Sequence, residues 1–315
     1  MIITEICGLL GIKYPIIQGG MAWVATAELA AAVSEGGGLG IIAAGTAPTT
    51  WLEQEIHKLK QITRKPFGVN IMLLSPYVEE IMDLIIRERV PVITTGAGNP
   101  GKYVPKLKEV GTKVIPVVAS VALARRLEKA GVSALIAEGM ESGGHVGEIC
   151  TLPLVPQVVD AVRIPVIAAG GIADGRGLLA ALSLGAAGVQ MGTRFMCAAE
   201  CTIPLPVKEA ILKAKERDTV VTGQTTGHPV RCLENRFTRE FARLEHEGVA
   251  AAELQELGTG RLQLAMVEGD IVNGSVMAGQ IAGAVQRIEP AADILRDIIE
   301  TAEAEWQKLG AYFQR

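Results

Sequence analysis

The stretch that decides the fold is IPVIAAGGIADGRGLLAALSLGAAGVQMGTRF, Ile164–Phe195. It opens on a short apolar run, IPVIAAGG, and passes through a turn rich in glycine. It then enters GRGLLAALSLG, with leucines at helical spacing, and closes on a second apolar run, AGVQMGTRF. Both runs are continuously apolar rather than alternating, as parallel strands covered on both faces are. Strand, helix and parallel strand make one βαβ unit.

Working outward, the same unit recurs towards the N-terminus. Apolar runs bounded by glycine or proline lie at YPIIQGGMA (Tyr14–Ala22), LGIIAAG (Leu39–Gly45), PFGVNIML (Pro66–Leu73), VPVITTGAG (Val90–Gly98), KVIPVVAS (Lys113–Ser120) and SALIAEG (Ser133–Gly139). Segments of helical period separate them, several ending on glycine, the common residue just past a helix end. With the opening pair this predicts eight strands, starting roughly every 20–32 residues, the length of a βα repeat. Strict alternation allows a doubly wound sheet or a closed barrel. Eight successive units with no GxGxxG after the first strand favour an α/β (β/α)8 TIM barrel.

The pattern breaks after Phe195. From Cys197 to Ile271 no run of the same kind appears, so a small, mostly helical insertion is expected after the eighth strand. The barrel then comprises 1–196 and 272–315, with GSVMAGQIAGAVQRI and PAADILRDIIETAEAEWQKLGAYFQR as two closing helices.

Composition narrows the function classes. The chain has 315 residues, 49% hydrophobic but only 4% aromatic, and so a core of aliphatic side chains. Its formal net charge of −4 argues against nonspecific binding of nucleic acid or an anionic membrane. No run reaches the roughly 18 apolar residues of a membrane span. The N-terminus MIITEICGLLGIKYP lacks the basic start and apolar stretch of a signal peptide. Five scattered cysteines without CxxC spacing read as reduced thiols in a cytoplasmic protein, with no disulfide frame and no metal site expected.

Chemistry in such a barrel belongs to the C-terminal ends of the strands. Those ends carry Gly19 to Ala22, Asn70, Gly96 to Asn99, Ser120, Glu138 to His145, Gly170-Gly171 and Gln190 to Arg194. The loops AAGGIADGRG and QMGTRF end strands seven and eight, where barrels commonly bind phosphate. Glycine lets backbone N–H groups approach phosphate oxygens, and Thr193 adds a hydroxyl. In QGGMA, glycine leaves room for a flat ring against the backbone, and the Asn70 amide can donate and accept. A planar phosphorylated ligand such as flavin mononucleotide (FMN) fits this set; so does a sugar phosphate.

GGMAWVATAELAAAVSEGGGLGII, KPFGVNIMLLSP, TTGAGNPGKY, IAEGMESGGHVGE, PVIAAGGIADGRG, QMGTRF and GSVMAGQIAG together resemble the FMN-dependent enoyl-acyl-carrier-protein reductase II family (the FabK type) and its relatives, the nitronate monooxygenases. The resemblance implies a TIM barrel holding FMN, with the 197–271 insertion as a lid that meets substrate and nicotinamide. It places Met21 and Ala22 against the flavin ring, Asn70 at its polar edge, and Gly143 and Gly144 along it. Gly170, Gly171, Gly192 and Thr193 would hold the phosphate. Gly20, Glu138, Ser142, Gln190 and Met191 complete the expected cofactor set, and His145 matches the active-site histidine. The leading expectation is reduction of trans-2-enoyl thioesters with NADH or NADPH as co-substrate; the alternative is oxidation of alkyl nitronates by O2.

His145, one of four histidines, suits proton chemistry because an imidazole titrates near neutrality. His228 lies in the insertion and is a second candidate, as a substrate or nicotinamide contact. Glu138 or Glu141 is expected to orient the imidazole or to meet the ribityl chain. The basic residues Lys208, Lys213, Lys215, Arg217, Arg231, Arg236 and Arg239 offer a surface for an acidic acyl carrier protein. A homodimer is a further option.

Overall fold

The computed structural model describes residues 2–312. Its strands are β1 (Ile16–Gln18), β2 (Gly40–Ala43), β3 (Phe67–Met72), β4 (Val92–Gly96), β5 (Lys113–Val118), β6 (Leu135–Glu138), β7 (Gly144–His145), β8 (Val166–Ala169), β9 (Gly188–Met191), β10 (Thr219–Thr222) and β11 (Val230–Leu233). Eight of them pair in parallel in the order β1-β9-β8-β6-β5-β4-β3-β2. A parallel bridge between Ile17 and Leu39 joins β1 back to β2, with Gln18 N–H donating to the Leu39 carbonyl at 3.0 Å. The buried Gln18 side chain reinforces this seam by accepting from Ile41 N–H at 3.0 Å. The sheet closes into the expected (β/α)8 barrel, and all eight predicted strands are present.

Alternate residues of each strand serve two separate apolar layers, as the period of two requires. Ile17, Ile41, Ile115, Ile136 and Ile167 fill the barrel interior, while Ile16, Ile42, Val114, Leu135 and Val166 pack outward against the helices. The helix Glu5–Leu10 plugs the N-terminal end of the barrel, adding Ile6 and Leu10 to the inner layer. Side chains thus fill that end, and the loops that carry the candidate site residues lie at the other, C-terminal mouth.

The chain beyond β9 departs from expectation in two ways. Segment 197–271 does hold helices, Leu205–Lys213, Arg236–His246, Ala251–Gly258 and Arg261–Met266. It also holds the antiparallel hairpin β10–β11, and β11 pairs on its other edge with β7, the strand that contains His145. GSVMAGQIAGAVQRI is not a closing helix either: apart from a 3-10 turn at Gln280–Ala284 it is irregular. Glycines and β-branched residues weaken helix formation there, and its backbone bonds go to the site loops instead. The final helix, Ala291–Tyr312, packs against Gly175–Ser183 on the barrel wall; residues 313–315 of the predicted closing helix lie outside the described residues.

Candidate active site

The loops after β1 and β9 meet at one side of the mouth. Gly19 N–H donates to the Met191 carbonyl at 2.8 Å. Gly20 lies so close to Asn70 that a Cβ would run into the asparagine side chain. Asn70 Nδ2 donates to Thr94 Oγ1 at 2.9 Å, and among the described residues no donor reaches its Oδ1. The Met21 carbonyl accepts from Val24 and Ala25 N–H, forming a tight turn in which Trp23 adopts φ +65°. Positive φ in so bulky a residue is rare away from functional loops. Met21 reaches across to Gly192, and Ala22 abuts Gly45.

Gln190, Met191 and Thr193 are buried beside this loop. Thr193 Oγ1 accepts from Gly279 N–H at 2.9 Å, so its own proton remains available. Gly170 and Gly171, after β8, take φ +92° and +71°, a conformation that side chains disfavour. Asp174 caps the next helix, accepting from Arg176 N–H at 3.0 Å and Gly177 N–H at 3.1 Å.

The loop after β6 carries the titratable groups. Glu138 ends the strand in an enclosed position, and desolvation raises its pKa to about 7. The nearby Ser142 hydroxyl draws that value down slightly, yet it is buried without a hydrogen bond of good geometry to any protein group. Glu141 is used structurally: its carboxylate accepts from Thr151 N–H at 2.9 Å, at the start of the helix Thr151–Ala161. The Thr151 hydroxyl lies 2.9 Å from both that carboxylate and the Gly170 carbonyl. One threonine thus ties the histidine loop to the loop after β8.

His145 sits on the seam between barrel and insertion. Its backbone pairs with Val230, Gly144 pairs with Arg231, and Val146 N–H donates to Pro229 at 3.1 Å. The ring reaches solvent at the mouth but is flanked by protein, and this desolvation lowers its pKa; the charge of His228 lowers it further. The two imidazoles meet edge to face, centroids 6.4 Å apart and planes at 88°. Neither Glu138 nor Glu141 hydrogen-bonds to His145, so the expected carboxylate orienter is replaced by backbone pairing.

The predicted basic group divides. Arg231 is buried, donating from Nε to the Met140 carbonyl and from Nη1 to Thr219 Oγ1, each at 3.1 Å. Lys208 is buried with Nζ 2.7 Å from the Ala198 carbonyl. Arg231 ties the insertion to the histidine loop, Lys208 braces the insertion internally, and neither is available to a partner. Lys213, Lys215, Arg217, Arg236 and Arg239 stay exposed, with Lys213 beside Glu209 and Arg239 beside Glu234.

Sequence reasoning missed the strap 275–284. A Cβ on Gly143 would lie 2.7 Å from Ala278, and one on Gly279 would lie 2.6 Å from the Glu141 carbonyl. Gln280 N–H donates to that same carbonyl at 2.9 Å, and Met277 lies beside Gly144. The strap therefore joins the histidine loop to Thr193. Its signal was the run of small residues MAGQIAG, which fits close backbone approach better than a helix.

The thiols take no part in this geometry. Cys197 and Cys201 are buried and unpaired, and burial pushes Cys197 up to about 11. Among the described residues, one group has the ligand types for a metal, Glu53, His57 and Glu88. Its carboxylates are engaged in ion pairs with Lys60 at 2.7 Å and Arg87 at 2.6 Å.

A family model described as nitronate monooxygenase matches residues 4–85 and 77–301. The chain belongs to that family. Membership in the nitronate monooxygenase family makes it a flavin-dependent oxidoreductase. The structure of FabK from Thermotoga maritima is 52% identical, with a TM-score of 0.97 over 99% of this chain and 100% of that one. A (3aS,4S,5R,7aS)-5-hydroxy-7a-methyl-1-oxo-octahydro-1H-indene-4-carboxyl-CoA dehydrogenase of Rhodococcus jostii is 36% identical over 98% of each chain. A probable nitronate monooxygenase of Staphylococcus saprophyticus is 41% identical over 78% of this chain and 82% of its own.

Proposed function

We propose that the chain is an FMN-dependent enoyl reductase that reduces trans-2-enoyl thioesters carried by acyl carrier protein, with NADH or NADPH as electron donor. The observation that carries the reading is the full-length likeness to FabK, closer in identity than that to the nitronate monooxygenase relative.

The mouth suits FMN. A flat ring fits where Gly20 has no side chain, with Met21 and Ala22 beside it and the free Asn70 Oδ1 at its edge. Gly170, Gly171, Gly192 and the free proton of Thr193 would hold the phosphate, and Gln190 and Met191 would support that loop. The orphaned Ser142 hydroxyl and the poised Glu138 carboxyl suit the polar ribityl chain, with Gly143 and Gly144 alongside. FMN, when bound, supplies two-electron chemistry between a nicotinamide and an activated alkene.

His145 acts on the substrate. As Cβ is reduced, negative charge develops on the thioester oxygen, and the imidazole N–H donates a hydrogen bond to it. Because its pKa is lowered, the ring that does so at neutral pH is neutral. A proton then reaches Cα from water at the mouth, either directly or through the imidazole N–H, which that water reprotonates. Segment 197–271 is the lid over this site, and its exposed lysines and arginines meet the acidic carrier. The five unpaired cysteines suit a reducing, cytoplasmic setting.

The second reading, nitronate oxidation by O2, draws on the 41% identical relative; there a neutral His145 would serve as base or oxyanion contact. Anaerobic stopped-flow mixing of holoenzyme with NADH or NADPH separates the two. Rapid bleaching of the flavin, followed by reoxidation with a crotonyl thioester, is expected. A flavin that neither nucleotide bleaches rules out the reductase.

A further inference from the structure

The hairpin that approaches the histidine loop brings a second imidazole with it. In the β7–β11 register His145 faces Val230. His228, two residues before Val230, is then the diagonal neighbour on the same face, within reach of an aromatic side chain. The rings accordingly meet edge to face at 6.4 Å. Only the insertion supplies this partner, since no barrel strand contributes a histidine to the mouth.

We propose that His228 is a positioning residue for the chemistry: from the insertion, it keeps His145 from taking up a proton in weakly acidic solution and so extends the range over which the neutral imidazole works. The inference rests on His145 being the residue that acts on substrate.

Other charged and titratable groups lie around His145. Glu138 comes from β6, Glu141, Glu148 and Cys150 from its own loop, and Arg231 from β11; the strap 275–284 contributes none. The Glu141 carboxylate is held by Thr151 and the Arg231 guanidinium by Met140 and Thr219. Of all these groups, His228 is the one whose charge acts on His145. A charge on the turn imidazole opposes a proton on His145, as coupled sites do.

The test is an NMR titration of holoenzyme labelled in its four histidines, assigned with single His→Gln variants. His228→Gln is expected to raise the His145 midpoint, while His228→Lys, which keeps a cation there, holds it low. A His145 midpoint unchanged in His228→Gln, or raised equally in both variants, overturns the proposal. The pH profile of kcat/KM with the enoyl thioester, measured on the same variants, separates the proposal from the reading beneath it. Its acidic limb is expected to move with the NMR midpoint. A midpoint that moves while the limb stays leaves the coupling standing and removes His145 from the reaction.

Discussion

The barrel mouth and the insertion reach the same site by different means. At the mouth the chain withholds side chains: Gly20 yields to Asn70, and Gly170 and Gly171 take a conformation that side chains disfavour. The insertion adds them: it brings His228 to the His145 ring and buries Arg231 beneath the histidine loop. The first arrangement is the one proposed to receive the cofactor, a surface made largely of backbone. The second governs the protonation and orientation of the one imidazole at the seam. On the proposed reading, cofactor binding rests on the barrel loops and the tuning of His145 on the insertion.

The sharpest way to break that division is His145→Ala. Turnover is expected to fall by about 10²–10⁴-fold, the usual contribution of a general acid–base group, with FMN retained at wild-type stoichiometry. The flavin absorption band and steady-state kinetics on one preparation decide it. Loss of the flavin would show that the two parts do not work separately.

Next in size is Glu138, on the barrel side. Its folded pKa of about 7 lies above the ordinary carboxylate value of 4.5, so ionising it penalises the native state. The penalty is absent below the unfolded pKa, grows as pH rises through the window up to about 7, and is constant above it. Glu138→Gln removes it, and the apoprotein is expected to gain about 2–3 kcal/mol at pH 8 and almost nothing at pH 4.5. Urea denaturation at the two pH values measures this. An equal gain at both would mean that the carboxyl is not strained by burial.

The smallest expected effect belongs to the insertion. Arg231→Met deletes the hydrogen bonds to Met140 and Thr219 and should cost about 2 kcal/mol. Hydrogen exchange at the Val146 amide, which is bonded to Pro229, should quicken, and turnover should fall several-fold with flavin binding unchanged. Wild-type protection of that amide would show that the hairpin holds the histidine loop without its arginine.

What could be read from the chain follows the range of the forces involved. Each barrel strand is a short apolar run ended by glycine or proline, a local pattern, and all eight were legible. The glycines of the mouth were legible for the same reason. The hairpin was not: TVVT and VRCL are four residues each, and they are stabilised by pairing with one another and with β7, far away in sequence. The β-branched run TVVT before the turn residues GQTTGHP was the available hint. The strap 275–284 was mistaken for a helix because its partners, Glu141 and Thr193, are remote in the chain. Lys208 and Arg231 were counted as surface charge, since nothing beside them in sequence shows that carbonyl groups receive them in the interior.

By itself, then, the sequence determined the barrel, its open end and His145 as a residue of that end, because hydrophobic period and the steric demands of glycine act over a few residues. The tertiary structure alone decided what His145 faces. A strand of two residues takes its register from whatever it pairs with, and β7 pairs with a hairpin more than eighty residues further along the chain. That pairing puts His228, rather than a carboxylate, beside the imidazole.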